Sequence, residues 1–223
     1  MVVLATKCYV EGDARSRALD GMEAMVRDDL GDLDVEWTVG VRDDDFVSVT
    51  VEGADETVAR NLLRERWGEV PSDGRLVEGE TYTGTLESWD DEGFVLDAGV
   101  EVRVPTAELG LGRGSAAQVR DRFGLVQHLP LEFVYGDPAR LSDAERDRLY
   151  DWSRGQGRVN VNSTTRGEAR ATVNRAGHAQ DIVTVERIGL LEQSIVCAEG
   201  TDPPGLLASI GRHLPAELKC VIP

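Results

Sequence analysis

Hydrophobic and polar positions along this chain switch between a period near two and a period near 3.6, and those switches predict its elements. Residues 2–10 read as a strand. Residues 14–30 then carry Ala18, Met22, Met25 and Val26 at helical spacing, with Asp13 as the expected N-cap. Residues 33–39 and 46–51 alternate with period two on either side of a turn-like stretch at 40–45, which predicts an antiparallel hairpin. A helix capped by Asp55 and carrying Val58, Ala59, Leu62, Leu63 and Trp67 closes this first stretch, whose order is βαββα.

Turn chemistry at Val70-Pro71-Ser72-Asp73-Gly74 predicts a short linker. Residues 75–136 are strand-rich and punctuated by glycine, with a helix at 116–123 and one clear strand, 131–135, after it. Ser142 and Glu145 form a capping box for a helix through Trp152. A strand at 158–162 follows, then a second capping box, Thr165 with Glu168, opening a helix to Ala176. Strands at 181–187 and 190–198, a proline-started helix from Asp202-Pro203 to Leu214, and a strand at 217–222 complete the chain. That last order, βαββαβ, is ferredoxin-like, and the first stretch holds most of the same order. The expected fold class is α+β in three units, at 1–70, 75–137 and 138–223. Glu52-Gly53-Ala54-Asp55 and Glu199-Gly200-Thr201-Asp202 each end a strand and open a helix, which raises the expectation that the outer units arose by duplication.

Charge adds a habitat to this picture. The chain has 22 arginines, two lysines and 41 acidic residues, for a formal net charge of −17. Self-repulsion of that size destabilises a compact state in dilute salt, and about 1 M salt, with a Debye length of roughly 3 Å, screens most of it. An acidic surface almost without lysine reads as the cytoplasmic protein of a salt-in halophile, of archaeal type. The 41% hydrophobic share supports packed cores, no apolar run approaches a membrane span, and residues 1–7 lack the basic start and cleavage site of a signal peptide. Cys8, Cys197 and Cys220, odd in number and far apart, suit small buried hydrophobes in a reducing compartment. The charge is uneven: residues 1–153 hold 16 basic and 34 acidic side chains, whereas 154–187 hold six arginines against three acids. In so acidic a chain, that local excess is a candidate surface for a polyanion.

Within the middle stretch, Gly79-Glu-Thr-Tyr82-Thr-Gly84-Thr-Leu86, Gly93-Phe94-Val95-Leu96-Asp97-Ala-Gly99 and Val104-Pro105-Thr-Ala-Glu108-Leu109 resemble the first three strands of an S1-type domain, in the centre of an archaeal family. The resemblance implies an OB-type barrel that binds single-stranded RNA by stacking and by basic side chains. It also implies that Phe94, at the start of the second strand, belongs to the binding face, with Trp89, Arg103 and His128 as neighbours. Two features depart from that pattern. Residues 75–136 hold 5 Arg against 11 acids, and a fifth strand is missing or borrowed.

A second candidate surface follows. Arg166, Arg170 and Asn174 line one face of a predicted helix, bordered by Arg175, while Arg154 and Arg158 bracket Gly155-Gln156-Gly157. Asn160, Asn162, Ser163 and Thr164 add hydrogen-bonding groups, and guanidinium suits phosphate because it binds bidentately and stacks on bases. Enzyme motifs are absent. Three histidines form no HxH or HExxH, there is no GxSxG, and Gly110-Leu-Gly112-Arg-Gly114-Ser115 lacks the lysine of a phosphate loop. Asp202-Pro-Pro-Gly205-Leu206-Leu207-Ala208-Ser-Ile210 resembles a stretch of ACT domains, which implies amino-acid sensing. The expected role is a non-enzymatic RNA-binding or ribosome-associated factor, needing no cofactor, metal or membrane. The alternatives are a protein-interaction adaptor whose barrel no longer binds RNA and the ACT-like sensor.

Overall fold

A computed structural model describes residues 1–72 and 74–223; Asp73, inside the expected linker, lies outside the described residues. Within them the protein is mixed α+β, with three antiparallel sheets and six α-helices. The first sheet holds β1 (Val2–Lys7), β2 (Val35–Val41) and β3 (Phe46–Gly53) in the order β1-β3-β2. Helices α1 (Gly12–Leu30) and α2 (Glu56–Trp67) share its core through Met22, Val26, Ala59 and Leu63. The second sheet is a curled half-barrel of β4 (Thr81–Trp89), β5 (Gly93–Asp97), β6 (Glu101–Pro105), β7 (Pro130–Val134) and β8 (Arg140–Leu141). Its order is β6-β5-β4-β7-β8, and Cα atoms of its two edge strands come within 8 Å of one another. Helix α3 (Ala116–Arg122) follows β6, and α4 (Asp143–Arg154) follows β8. The third sheet, ordered β10-β11-β9-β12, is built from β9 (Arg158–Val161), β10 (Ile182–Arg187), β11 (Gln193–Cys197) and β12 (Leu218–Val221), with α5 (Arg166–Arg175) and α6 (Pro203–Gly211). No helix among the described residues is long and apolar enough to cross a membrane.

Local sequence signals and structure part company at several places. Asp55 stands at the N-cap of α2, but its side chain makes no capping bond and instead accepts the Asp34 N–H at 2.9 Å. Helix α1 begins at Gly12 with Glu11 as its N-cap, so Asp13 lies in the first turn, where its charge still complements the helix dipole. Ser142 does cap α4, accepting the Glu145 N–H at 3.0 Å. Glu145 leaves the box open, because its buried carboxylate instead takes Arg148 at 2.5 Å and the Glu132 N–H at 3.2 Å. The fifth strand of the central sheet is present as β8, two residues paired Phe133↔Leu141 and Val134↔Arg140. Two residues are too few for a period to register. Helix α4 also belongs to the centre, since Leu149 and Trp152 pack in one core with Leu86, Phe94 and Phe133. Residues 138–154, expected to start the C-terminal unit, therefore complete the central one.

The three units meet where β1 ends. The buried Lys7 ammonium pairs with Glu87 Oε1 at 2.9 Å and Asp97 Oδ2 at 2.7 Å, both in the central sheet. The Tyr9 ring lies 4.0 Å from the His128 ring, centroid to centroid. The Tyr9 hydroxyl donates to Glu192 Oε1 at 2.6 Å and accepts the Ser163 N–H at 3.0 Å, both in the C-terminal unit. A second clasp joins centre to C-terminus. Asn160 Nδ2 donates to Gly124 O at 2.8 Å, Asn162 Nδ2 to Gln127 O at 3.2 Å, and the Gln127 N–H to Glu217 Oε2 at 2.8 Å. Gly124 has φ +62°, and a Cβ there would meet Val221 Cγ2 at 2.7 Å, so the clasp requires glycine.

Burial dominates at Glu192, pushing its carboxyl up to about 8 although Tyr9 bonds it. At Glu87 burial pushes upward too, but hydrogen bonds from His128, Thr85 and Lys7 outweigh it and hold the carboxyl at about 2. Glu192 thus keeps a proton in the folded state that the unfolded chain releases above about pH 4.5. Folding stability accordingly falls as pH rises from about 4.5 to about 8, by up to about 1.4 kcal/mol per pH unit, and levels off above. Glu192→Gln preserves the Tyr9 bond and removes the titration. Urea unfolding across that window should give a flattened pH profile for the variant; an unchanged slope would place the titration elsewhere.

Candidate nucleic-acid interface

The aromatic face expected on the central sheet is not presented to solvent. Phe94 is 0% exposed, its ring in the core with Leu86, Leu96 and Val104, so it has no face to offer a base. Trp89 is half-buried, and the Arg120 guanidinium covers its ring at 3.5 Å from the centroid; Arg120 is itself buried and paired with Glu217. Arg103 is spent on Asp90, at 2.7 and 2.9 Å, with Glu92 at 3.4 Å. His128 faces the junction, stacked on Tyr9 and 3.3 Å from Glu87.

The C-terminal arginine patch is realised in part. Both arms of the Thr165–Glu168 capping box form, which fixes where α5 starts. Arg166 then crosses the open edge of the third sheet, its Nε donating to Val185 O of β10 at 2.7 Å. Arg170 is exposed one turn further along, and Arg175, also exposed, donates to Thr172 Oγ1 at 3.1 Å. Arg154 is exposed, lying 5.0 Å over the Tyr150 ring. Arg158 is largely covered, paired with Glu186 and 5.4 Å over Trp152. Asn160, Asn162 and Thr164 are buried, the two asparagines in the inter-unit clasp, so they add nothing to this surface.

Beside β10 runs a groove of about 540 Å³ lined by Arg148, Trp152, Arg166 and Arg187. Arg148, Arg187 and Ile188 also line an adjoining cavity of about 440 Å³, where Arg66 and Trp67 of α2 join them. Arg66, Arg148 and Arg187 come from three different units, so sequence spacing carried no sign that they converge; only Arg187 lay in the basic stretch. Arg148 is oriented by Glu145 and by Pro130 O at 3.3 Å, and Arg66 by Asp29. Arg187 differs. It is half-buried, its Nε is buried without a hydrogen-bond partner, and among the described residues no carboxylate pairs with it. Burial, then the charges of Arg166 and Arg66, push its guanidinium below the usual arginine range. In a chain of net charge −17, an inward-set arginine facing other arginines is a place prepared for an anion.

One other constellation has catalytic connectivity. His178 Nδ1 lies 2.6 Å from Asp181 Oδ2 and its Nε2 lies 2.8 Å from Ser209 Oγ. Ser209 sits inside α6, where backbone N–H groups are committed to the helix and leave no donor pair for an oxyanion. The array therefore ties the turn before β10 to α6. In the stretch 202–210, Asp202 caps α6 through the Gly205 N–H at 3.0 Å while Leu206 and Ile210 are buried. Among the described residues, no group of three His, Cys, Asp or Glu side chains is placed to hold a metal ion.

Fold and groove together define an α+β protein of three interlocked units with an arginine-lined junction. The chain belongs to the DUF2110 family: its N-terminal domain matches residues 1–73, its central domain 76–153 and its C-terminal domain 156–222. The division at 153–156 coincides with the end of α4, in accord with that helix packing on the central sheet. No curated protein matches the chain.

Two arginines, the buried Arg120 and the half-buried Arg187, should respond differently to substitution. Arg120→Gln breaks a buried ion pair and uncovers Trp89, and should cost about 3 kcal/mol in denaturant unfolding at molar salt. Arg187→Gln removes like-charge repulsion without orphaning a carboxylate, and should change stability by less than about 1 kcal/mol. An equal loss for both would make Arg187 a structural residue.

Proposed function

We propose that this protein is a non-enzymatic RNA-binding factor, associated with the ribosome or another structured RNA, whose contact surface is the groove of Arg148, Arg166 and Arg187. The observation that carries the reading is Arg187, half-buried near Arg66 and Arg166, with its Nε buried and, among the described residues, no carboxylate in an ion pair with it. Arg154 and Arg170, exposed at the margins, extend the surface.

The composition supports a halophilic, archaeal, cytoplasmic setting, and that setting shapes the binding physics. At molar salt the counterion-release contribution to RNA affinity nearly vanishes. Binding must rest on geometry, and bidentate guanidinium contacts inside a groove are screened less than exposed charges. The proposal keeps an S1-like barrel at the centre, supported by the order β6-β5-β4-β7-β8 and the approach of its edge strands. It likewise keeps ferredoxin-like outer units, supported by the order β10-β11-β9-β12 and by β1-β3-β2. With Phe94 in the core, the barrel acts here as the scaffold that carries Arg148.

In living cells at native salt, UV crosslinking of the tagged protein should recover discrete RNA sites. Arg166→Glu with Arg187→Glu should lower that yield at least about tenfold, while the control Arg212→Glu, at the exposed C-cap of α6 and outside the groove lining, leaves it unchanged. No RNA above an untagged control, with folded protein present, would refute the reading and favour the protein-interaction adaptor.

A further inference from the structure

The groove changes sign along its length. Its β10 half is lined by Arg148, Arg166 and Arg187, and the acid there, Glu186, is already paired with Arg158. The junction cavity is lined by Arg66, Arg148 and Arg187 together with Glu65, Glu132 and Glu145, the last of these paired with Arg148. Beyond it, Glu65 and Glu132 continue into a third cavity of about 610 Å³ that also holds Glu69. The one arginine there, Arg64, is already paired with Glu69 at 2.6 Å.

A phosphodiester strand can follow the first half but not the last, because its next phosphate would stand against Glu65 and Glu132 without a free cation. A strand lying in this groove therefore ends in the junction cavity. The chemistry at that point selects which end. Carboxylates only accept hydrogen bonds, and the 2′,3′-diol of a terminal ribose offers two donors, whereas a terminal phosphate offers repulsion. Glu132 uses one oxygen to accept from Ser142 Oγ at 2.5 Å and keeps its other oxygen for an incoming donor. On the cationic side, Arg148 is held in place by Glu145 and Pro130. Two residues lining the same cavity carry buried donors without protein partners, Arg187 Nε and Trp67 Nε1. Buried donors are seldom left unpaired, and two of them on residues lining one cavity suit an acceptor-rich ligand such as phosphate.

We infer that the junction cavity seats the 3′-terminal nucleotide of an RNA strand, Arg148 and Arg187 holding the last phosphodiester while Glu65 and Glu132 accept hydrogen bonds from the free 2′- and 3′-hydroxyls. The inference rests on the RNA-binding reading and specifies its ligand.

Fluorescence anisotropy with the full chain at molar potassium chloride tests it. The probes are a 5′-labelled mixed-sequence RNA of about 12 nucleotides with a 3′-hydroxyl, the same RNA with a 3′-phosphate, and its labelled circular form. The 3′-hydroxyl RNA should bind at least about tenfold more tightly than the other two. Glu132→Gln, checked for an unchanged melting temperature, should narrow the hydroxyl-over-phosphate preference to about threefold or less by removing the repulsive charge. Equal binding of all three RNAs, abolished by Arg166→Glu with Arg187→Glu, would overturn end recognition and leave the RNA reading standing. Failure of every RNA to bind the folded protein would overturn both.

Discussion

Lys7 and Tyr9, from the end of the first strand, reach into both other units, and the relative placement of all three rests on what they meet there. Lys7 is buried against Glu87 and Asp97; Tyr9 bonds Glu192 and Ser163 and stacks on His128. A buried ammonium and a half-buried phenol are costly unless each finds its partners, which favours the arrangement that pairs both. That arrangement is also the only source of the groove, since Arg66, Arg148 and Arg187 belong to three different units. Gly189 shows how tightly the hub is packed: a Cβ there would stand 2.0 Å from Glu192 Oε2. The constraint that makes one body of three units therefore also makes the candidate site.

Charge distribution works in the same direction. The chain carries a net charge of −17, whereas the inter-unit contacts are largely buried and so little affected by salt. Cations are scarce, and most are assigned to a carboxylate: Arg103 to Asp90, Arg120 to Glu217, Arg158 to Glu186. Against that background Arg187 stands out: among the described residues no carboxylate forms an ion pair with it, and the charge of Asp29 offsets only part of its burial and of the repulsion from Arg166 and Arg66. A ligand that brings phosphates would supply what the fold leaves out.

Much of the architecture was legible because its signals are local. The Thr165–Glu168 box, the Asp202 cap and the period-two hairpin of β2 and β3 each depend on a few neighbouring residues. Strand β8 escaped because two residues make no pattern, and α4 was given to the wrong unit because its partners, Leu86 and Phe94, lie far back in the chain. Phe94 misled for a related reason. All of residues 93–96 are buried, so alternation could not tell an inward ring from an outward one. The candidate site was half legible: Arg158 and Arg166 sit at its edge, but the arginines that deepen it are brought together only by tertiary packing. The asparagines near Arg158 were read as surface donors, and the clasp uses them instead.

The central claim is that RNA meets this protein in the groove between α4 and β10. The most direct measurement is mass spectrometry of peptides from the RNA-crosslinked protein, recovered at native salt, to locate the crosslinked residues. Crosslinks concentrated at residues 146–154 and 182–189, with a further site near residues 64–67, are the predicted result. Crosslinks confined to the outer face of the central sheet, at residues 81–105, would contradict the account.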